Sequence, residues 1–478
     1  MSSVDIQHEN YFKSTQITEQ KNKSEEAKPN QEIILEAYKK VELPEQDGIH
    51  HRIWKHHHLS HYNRLLFLAT ISNLIFLALG LLTWQWWTED GIALRQISTM
   101  VVLNLAITVL VRQQYIVNGI FWLCMRPTLK WPLWIRWNLA KVYHIGGLHS
   151  GCAASATIWF GILVASFTYH LANDLPGISL HTTLLGYSLV ALFVCIIIFA
   201  LPKMRSKYHN CFERMHRFGG WLGLTLTWTF TSFFINDQKG DASLISALLE
   251  SVNFWVLLIT TSSAIIPWLQ LRKIPVKVST PSSHVAIVEI PEINKPFVGS
   301  SSSVSLSPVV EWHAFANITS PSKKGYRLVI SRAGDWTANF IDNPPEHVWV
   351  KGIPVAGVGH INKVFKRIVW IATGSGIGPI LAHLLHKKRP GYLIWSTRTP
   401  RETYGNELVD EILLVQPDAT IWDTTTYGKP DMVKLAYVAY KAFNAEAVVC
   451  ISNQKLTRAV VYGMESRGIP AFGAIWDS

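Results

Sequence analysis

Residues 371–379 read Ile-Ala-Thr-Gly-Ser-Gly-Ile-Gly-Pro. An apolar strand ends at Ala372, Thr373 follows, and glycines stand at Gly374, Gly376 and Gly378 before Pro379 opens a helical run. Glycines in such a turn let backbone approach a pyrophosphate closely, and the helix N-terminus adds N–H donors and a positive dipole. The pattern predicts a dinucleotide site. After the next apolar run the chain reads Trp-Ser-Thr-Arg-Thr-Pro-Arg, which puts Ser396, Arg398 and Arg401 where the adenosine ribose would lie. No acidic residue ends that run to bind a free 2′-hydroxyl. Arginines instead match a 2′-phosphate through charge-assisted bonds. The expected dinucleotide is therefore NADPH rather than NADH.

A second set of candidates lies in apolar sequence. His144 and His149 fall in one apolar segment and His216 at the start of another. An ionisable residue in such a helix is a functional hypothesis by default, and neutral imidazole ligates haem iron. Residues 50–61 hold six histidines. A metal site is conceivable there, but a strip meeting lipid headgroups is the reading adopted. The five cysteines form no Cys-x-x-Cys pair and read as buried thiols.

These residues need elements to position them. The 478-residue chain is 49% hydrophobic and only 16% charged, with 20 tryptophans. That excludes a disordered chain and a small disulfide scaffold, and it leaves room for a membrane region plus a domain of ordinary size. Six apolar segments at 65–87, 93–111, 142–169, 181–201, 218–235 and 252–271 predict six spans. The basic excess lies among them: residues 50–277 carry 18 Lys and Arg against 7 Asp and Glu. Positive loops after the second, fourth and sixth segments put both termini in the cytosol. This charge argues for a lipid bilayer and against nucleic acid as a partner. No signal peptide is expected, since the first apolar run starts near Leu65. Trp131, Trp134, Trp137 and Arg136 suit a headgroup setting.

The expected organisation is a disordered cytosolic tail over 1–49 and a six-helix membrane domain over 50–274. An antiparallel β-barrel follows over 275–366, with a Ser-rich loop at Ser300–Ser303. A parallel α/β nucleotide-binding domain completes the chain over 367–478, where strands alternate with helices.

Two further motifs complete a resemblance. Residues 311–318 read Glu-Trp-His-Ala-Phe-Ala-Asn-Ile and 334–337 read Gly-Asp-Trp-Thr. With Val-Tyr-His-Ile-Gly-Gly-Leu-His-Ser-Gly at 142–151 and the Gly-Ser-Gly-Ile-Gly-Pro turn, the chain resembles the ferric reductase and NADPH oxidase superfamily. Within it, the sequence looks most like fungal TmpA-type integral membrane flavoproteins, which also appear fused to adenylate-forming, synthetase-like enzymes. The resemblance implies FAD in the barrel, with His313, Phe315, Trp336 and Thr337 at the flavin. Where the superfamily has His-Pro-Phe-Ser/Thr, this chain has Ala314 and Ala316. It implies catalytic roles for Cys450, beside the nicotinamide, and for Trp476, as a terminal aromatic covering the flavin. It also implies haem b. Of the superfamily's two histidine pairs, only one set survives, so at most one haem is expected, clamped by His144 and His216 with His149 nearby.

The function expected from this reading is a membrane-bound NADPH-dependent flavoprotein oxidoreductase. Electrons would pass from NADPH through FAD to an inner haem or a membrane-associated acceptor, with a biosynthetic enzyme or a signalling protein as partner. The alternatives are outward electron transfer of the ferric reductase or NADPH oxidase type, and a redox-inactive regulatory protein of the same fold.

Overall fold

The computed structural model describes residues 31–88, 91–291 and 296–474. From His61 to Leu82 the chain carries no charge after Arg64, and it forms a 22-residue helix, α2, begun by Ser60 accepting the Asn63 N–H. Helix α3 (Leu94–Leu110) breaks at residues 111–113, where the Gln113 side chain caps a second helix, α4 (Gln114–Cys124), at 74° to the first. Helix α6 (Gly146–Ala172) lies at the centre and packs against α2, α3 and α7 (Leu180–Ala200). Gly147 permits its approach to α2: a methyl group there would lie 2.0 Å from the Tyr62 carbonyl oxygen. Helix α8 (His209–Gln238) packs on α7, and a bent pair, α9 (Leu244–Glu250) and α10 (Val252–Ile265), completes the set. The aromatic centre stacks Phe167, Phe230 and Phe234.

Three of these helices, α2, α6 and α7, are long and apolar enough to cross a membrane, or up to five spans if each bent pair counts as one. Six were expected. The difference is α8, whose first turns carry Glu213, Arg214 and Arg217 and whose later turns are rich in threonine.

Two antiparallel sheets follow. One orders Val355–Ala356, Ser300–Ser305, His347–Lys351 and Leu271–Pro275, with His313–Ala316 also paired to Ser300–Ser305. The other orders Lys277–Ser282, Val285–Ile290, Tyr326–Ser331 and Ile318–Thr319. Helix α11 (Asp335–Asp342) closes their shared core with Phe340. The Ser-rich stretch expected as a loop is a strand. Its alternate hydroxyls face inward and are taken up by protein, as where Asn317 Nδ2 donates to Ser300 Oγ.

Five parallel strands form the last sheet, in the order β3-β2-β1-β4-β5, with β1 Ile368–Thr373, β2 Gly391–Thr397, β3 Thr420–Asp423, β4 Ala447–Ile451 and β5 Ala471–Gly473. Every residue of β2 and β4 is buried, as a sheet covered by helices on both faces requires. The tail expected to be disordered contributes helix α1 (Gln31–Lys40). Ile34 buries against the parallel-sheet domain, and the Tyr38 hydroxyl accepts the Asp431 N–H at 2.9 Å.

The segment between α4 and α6, which holds helix α5 (Leu133–Leu139), joins the two halves. Arg136 is bidentate to Glu446 at 2.8 and 3.1 Å and donates to the Val364 carbonyl. Lys141 pairs with Glu465 at 2.6 Å and donates to the Ala471 carbonyl, and Trp137 Nε1 donates to Glu465. Trp131 and Trp134 remain exposed. Arg136 and Trp137, expected among headgroups, are instead docking residues, Arg136 buried and Trp137 partly so.

Candidate functional site

Strand β1 ends in Thr373, whose hydroxyl is hydrogen-bonded to that of Ser452 at the end of β4. Gly374 takes a φ of +51°, a left-handed conformation that glycine adopts without strain, and its carbonyl accepts the Trp395 indole N–H at 2.9 Å. Gly376 lies so close to β4 that a methyl group would stand 2.1 Å from the Ile451 oxygen. The turn then runs into helix α12 (Ile377–His386), with Pro379 in the first turn, where a missing N–H costs nothing. Gly378 faces Val329 of the antiparallel sheet at ordinary contact distance, so its role is packing between sheets.

Beside this turn, at the C-terminal edge of the parallel sheet, opens a cleft of about 930 Å³. This is where a doubly wound sheet takes its ligands. Of the residues expected at a dinucleotide, Thr373, Gly374, Ser396 and Arg398 line it, and Gly376, Gly378 and Pro379 do not. Arg401 does not: its guanidinium turns to Asp410 at 2.8 Å and to Asn406. Two cations that sequence reasoning missed, Lys429 and Lys455, join Arg398 in the lining. Their signal was position, since each lies shortly after a strand of the parallel sheet. Asp423 ends β3, but its Oδ1 accepts the N–H groups of Thr425 and Thr399. Those hydrogen bonds hold its pKa below the usual carboxylate range. The cleft thus offers three cations, one carboxylate (Glu402), glycine backbone and hydroxyls.

Cys450 is not at the cleft. It sits in the middle layer of β4 between Ile371 and Gly473, fully buried, and burial pushes its thiol up to about 12. A protonated thiol in a closed core cannot serve the nicotinamide as expected. Trp476 lies outside the described residues.

His313 and Phe315 share one face of their strand. The Trp336 ring stacks on His313 at 4.1 Å and on Phe315 at 6.0 Å, and its indole N–H donates to Glu311 at 2.6 Å. The Thr337 hydroxyl is engaged with the N–H groups of Ala333 and Gly334. His313 Nε2 is buried and lacks a hydrogen-bond partner, with Glu311 3.8 Å away. The orphaned His313 nitrogen and the aromatic rings beside it fit a flavin in chemistry, while Trp336 already covers one face of His313 and of Phe315.

The membrane histidines do not pair as expected. His144 contacts Tyr143 and His61, whereas His216 contacts His149 at 5.9 Å and Phe212. His149 Nδ1 is hydrogen-bonded to the Thr108 carbonyl oxygen at 2.9 Å. The rings of His144 and His216, expected as the haem clamp, face different neighbours: His144 ends a 3-10 turn, Ala140–His144, ahead of α6, whereas His216 lies within α8.

Residues 358–478 match the family model described as adenylate-forming reductase 03009, C-terminal domain. The chain is 42% identical over 450 residues to adenylate-forming reductase 03009 of Coprinopsis cinerea, covering 94% of this chain and 43% of that protein. It is 40% identical over 466 residues to adenylate-forming reductase 06235 of the same fungus, covering 97% of this chain and 45% of that protein. The chain thus spans less than half the length of these relatives. Among solved structures it is similar to a ferredoxin NADP+ reductase from Neisseria gonorrhoeae with bound FAD and NADP, at 15% identity and a TM-score of 0.33, over 43% of this chain and 98% of that one. These relatives overturn the ferric reductase and NADPH oxidase reading and its TmpA-type refinement. With it goes the expected passage of electrons to haem, which the separated His144 and His216 rings also fail to support. The chain is similar over nearly its whole length to less than half of two adenylate-forming reductases, and its residues 358–478 match a C-terminal domain of that name.

Proposed function

We propose that the chain is the reducing portion of an adenylate-forming reductase, an NADPH-dependent flavin oxidoreductase whose acceptor is a carboxyl group activated as an adenylate. One observation carries this reading: the cleft beside Gly374 and Gly376 combines a pyrophosphate-sized backbone turn with Arg398, Lys429 and Lys455. The shared name of the two Coprinopsis relatives supports the acceptor class. The adenylate itself would come from the part of those longer proteins that this chain does not match.

In this reading the turn holds the pyrophosphate, and Arg398 binds the 2′-phosphate with Lys429 and Lys455 adding positive charge. His313, Phe315, Trp336 and Thr337 would hold the flavin. A bound flavin supplies a ring able to take hydride from nicotinamide and pass it on. The net conversion replaces the adenylate at the acyl carbon with hydride, releasing an aldehyde and AMP while NADPH becomes NADP+. The apolar helices would hold the module at a bilayer.

The test is product analysis. The chain, loaded with FAD and given NADPH and a synthetic acyl adenylate, should form aldehyde and AMP in equal amounts. Hydrolysis to the free acid with no aldehyde would reject the acceptor.

A further inference from the structure

Outside the cleft, three consecutive side chains converge at the entrance to the first apolar helix. His56, His57 and His58 place one ligand atom each within 4.8 Å of one another. Their rings lie 4.0–5.0 Å apart centroid to centroid. Consecutive residues rarely gather on one side. Here a short 3-10 turn, His57–Leu59, follows an extended His56 and brings the three rings together.

The backbone under the rings is tied down. His56 Nδ1 accepts the His58 N–H at 3.4 Å, which fixes that ring and leaves Nε2 as its outward nitrogen. Asn63 Nδ2 donates to the His58 carbonyl at 2.9 Å, and Arg64 Nε donates to the Leu59 carbonyl at 2.8 Å. Both donors stand on the first turn of α2, so the start of that helix holds the loop. The neighbouring cations are turned elsewhere. The Lys55 ammonium sits over Trp137 at 3.9 Å and the Arg64 guanidinium over Trp54 at 3.8 Å.

We propose that His56, His57 and His58 form a site for one divalent d-block cation, zinc or copper. Imidazole suits these ions, whose bonds to nitrogen run about 2.0–2.1 Å, so tetrahedral ligands stand roughly 3.4 Å apart. Closing from within 4.8 Å to that spacing needs only side-chain rotation, because His57 and His58 are exposed. Water completes the coordination. The site rests edge-on against Tyr462 of the nucleotide-binding half through His56, at 5.7 Å. It is independent of the reading given for the cleft.

The experiment titrates copper(II) into the detergent-solubilised chain, freed of metal by chelation, and records the electron paramagnetic resonance spectrum. One equivalent should bind with nitrogen superhyperfine structure. The variant His56→Ala/His57→Ala/His58→Ala should lose that equivalent. His57→Ala alone should weaken it at least ten-fold, and His50→Ala/His51→Ala should keep it. All these residues except His56 are exposed, and melting curves matching wild type would show that the variants fold. No bound equivalent in wild type, or an undiminished one in the triple variant, would overturn the proposal.

Discussion

Gly376 and Ile451 are pressed together so tightly that the smallest side chain on Gly376 would penetrate the Ile451 carbonyl oxygen. The turn after β1 is therefore wedged against the end of β4, and the N–H groups that would meet a pyrophosphate are set by sheet packing. Gly376→Ala should push the turn off β4 and weaken NADPH binding at least ten-fold, measured by titration of intrinsic tryptophan fluorescence. Gly378→Ala, with ordinary contact to Val329, should cost far less. Equal losses in the two variants would contradict this account.

Arg398 is exposed at the rim of the cleft with no acidic partner described, so its guanidinium is available to a phosphate. A charge-assisted bond contributes about 1.5–3 kcal/mol, or roughly ten- to a hundred-fold in affinity. Arg398→Ala should raise the NADPH dissociation constant by that factor and leave NADH nearly unchanged. Arg401→Ala should change neither, because Asp410 already holds that side chain.

Buried Arg136 and part-buried Glu446 dock the nucleotide-binding half onto the segment after α4. Removing one partner leaves the other charge unpaired in a partly desolvated contact, at a cost on the order of 1–3 kcal/mol. Arg136→Met should therefore speed proteolytic release of residues 358–478 from the membrane-facing part. Burial alone would raise the Glu446 carboxyl, but hydrogen bonds from Arg136 and the Lys366 N–H, with their charges, bring it below its ordinary value. A carboxyl lowered by folding stabilises the fold above its unfolded pKa, about 4.3. That contribution is lost as pH falls through the lower folded value. Docking should hold from neutral pH down to about 5 and loosen under stronger acid. Release that begins on the alkaline side would contradict the pairing.

Cys450 should resist alkylation in the native chain at mildly alkaline pH, since its thiol is buried and its pKa is pushed up to about 12. Mass spectrometry after treatment with iodoacetamide should find Cys211, which is exposed, modified first. Rapid labelling of Cys450 would restore it to the cleft.

The glycine turn between strand and helix was legible because its requirements are local: a strand, glycines at set spacing and a helix start lie within a dozen residues. The alternation that predicts the parallel sheet is local too. Arg401 misled because it lies one helical turn beyond Arg398, and only the fold reveals Asp410 beside it. Arg136 and Trp137 read as headgroup residues because aromatic and basic side chains suit a lipid boundary and a protein dock equally. His144 and His216 could not be matched because the apolar run that suggested one helix from residue 142 begins instead as a 3-10 turn, which takes His144 off α6. Cys450 follows the same lesson at single-residue scale: it lies within the covered span of β4, whereas Ser452, just past the end of that strand, is the residue that meets Thr373. Lys429 and Lys455 carry no motif, and only the order of the strands brings them to Arg398.

The most direct measurement is NADPH oxidation by the FAD-loaded chain in the presence of an acyl adenylate, followed through the loss of nicotinamide absorbance. The account predicts steady consumption that stops when the adenylate is exhausted and that falls at least ten-fold in Arg398→Ala at limiting NADPH. Nicotinamide that stays reduced whatever adenylate is supplied, in a chain that retains its flavin, would contradict it.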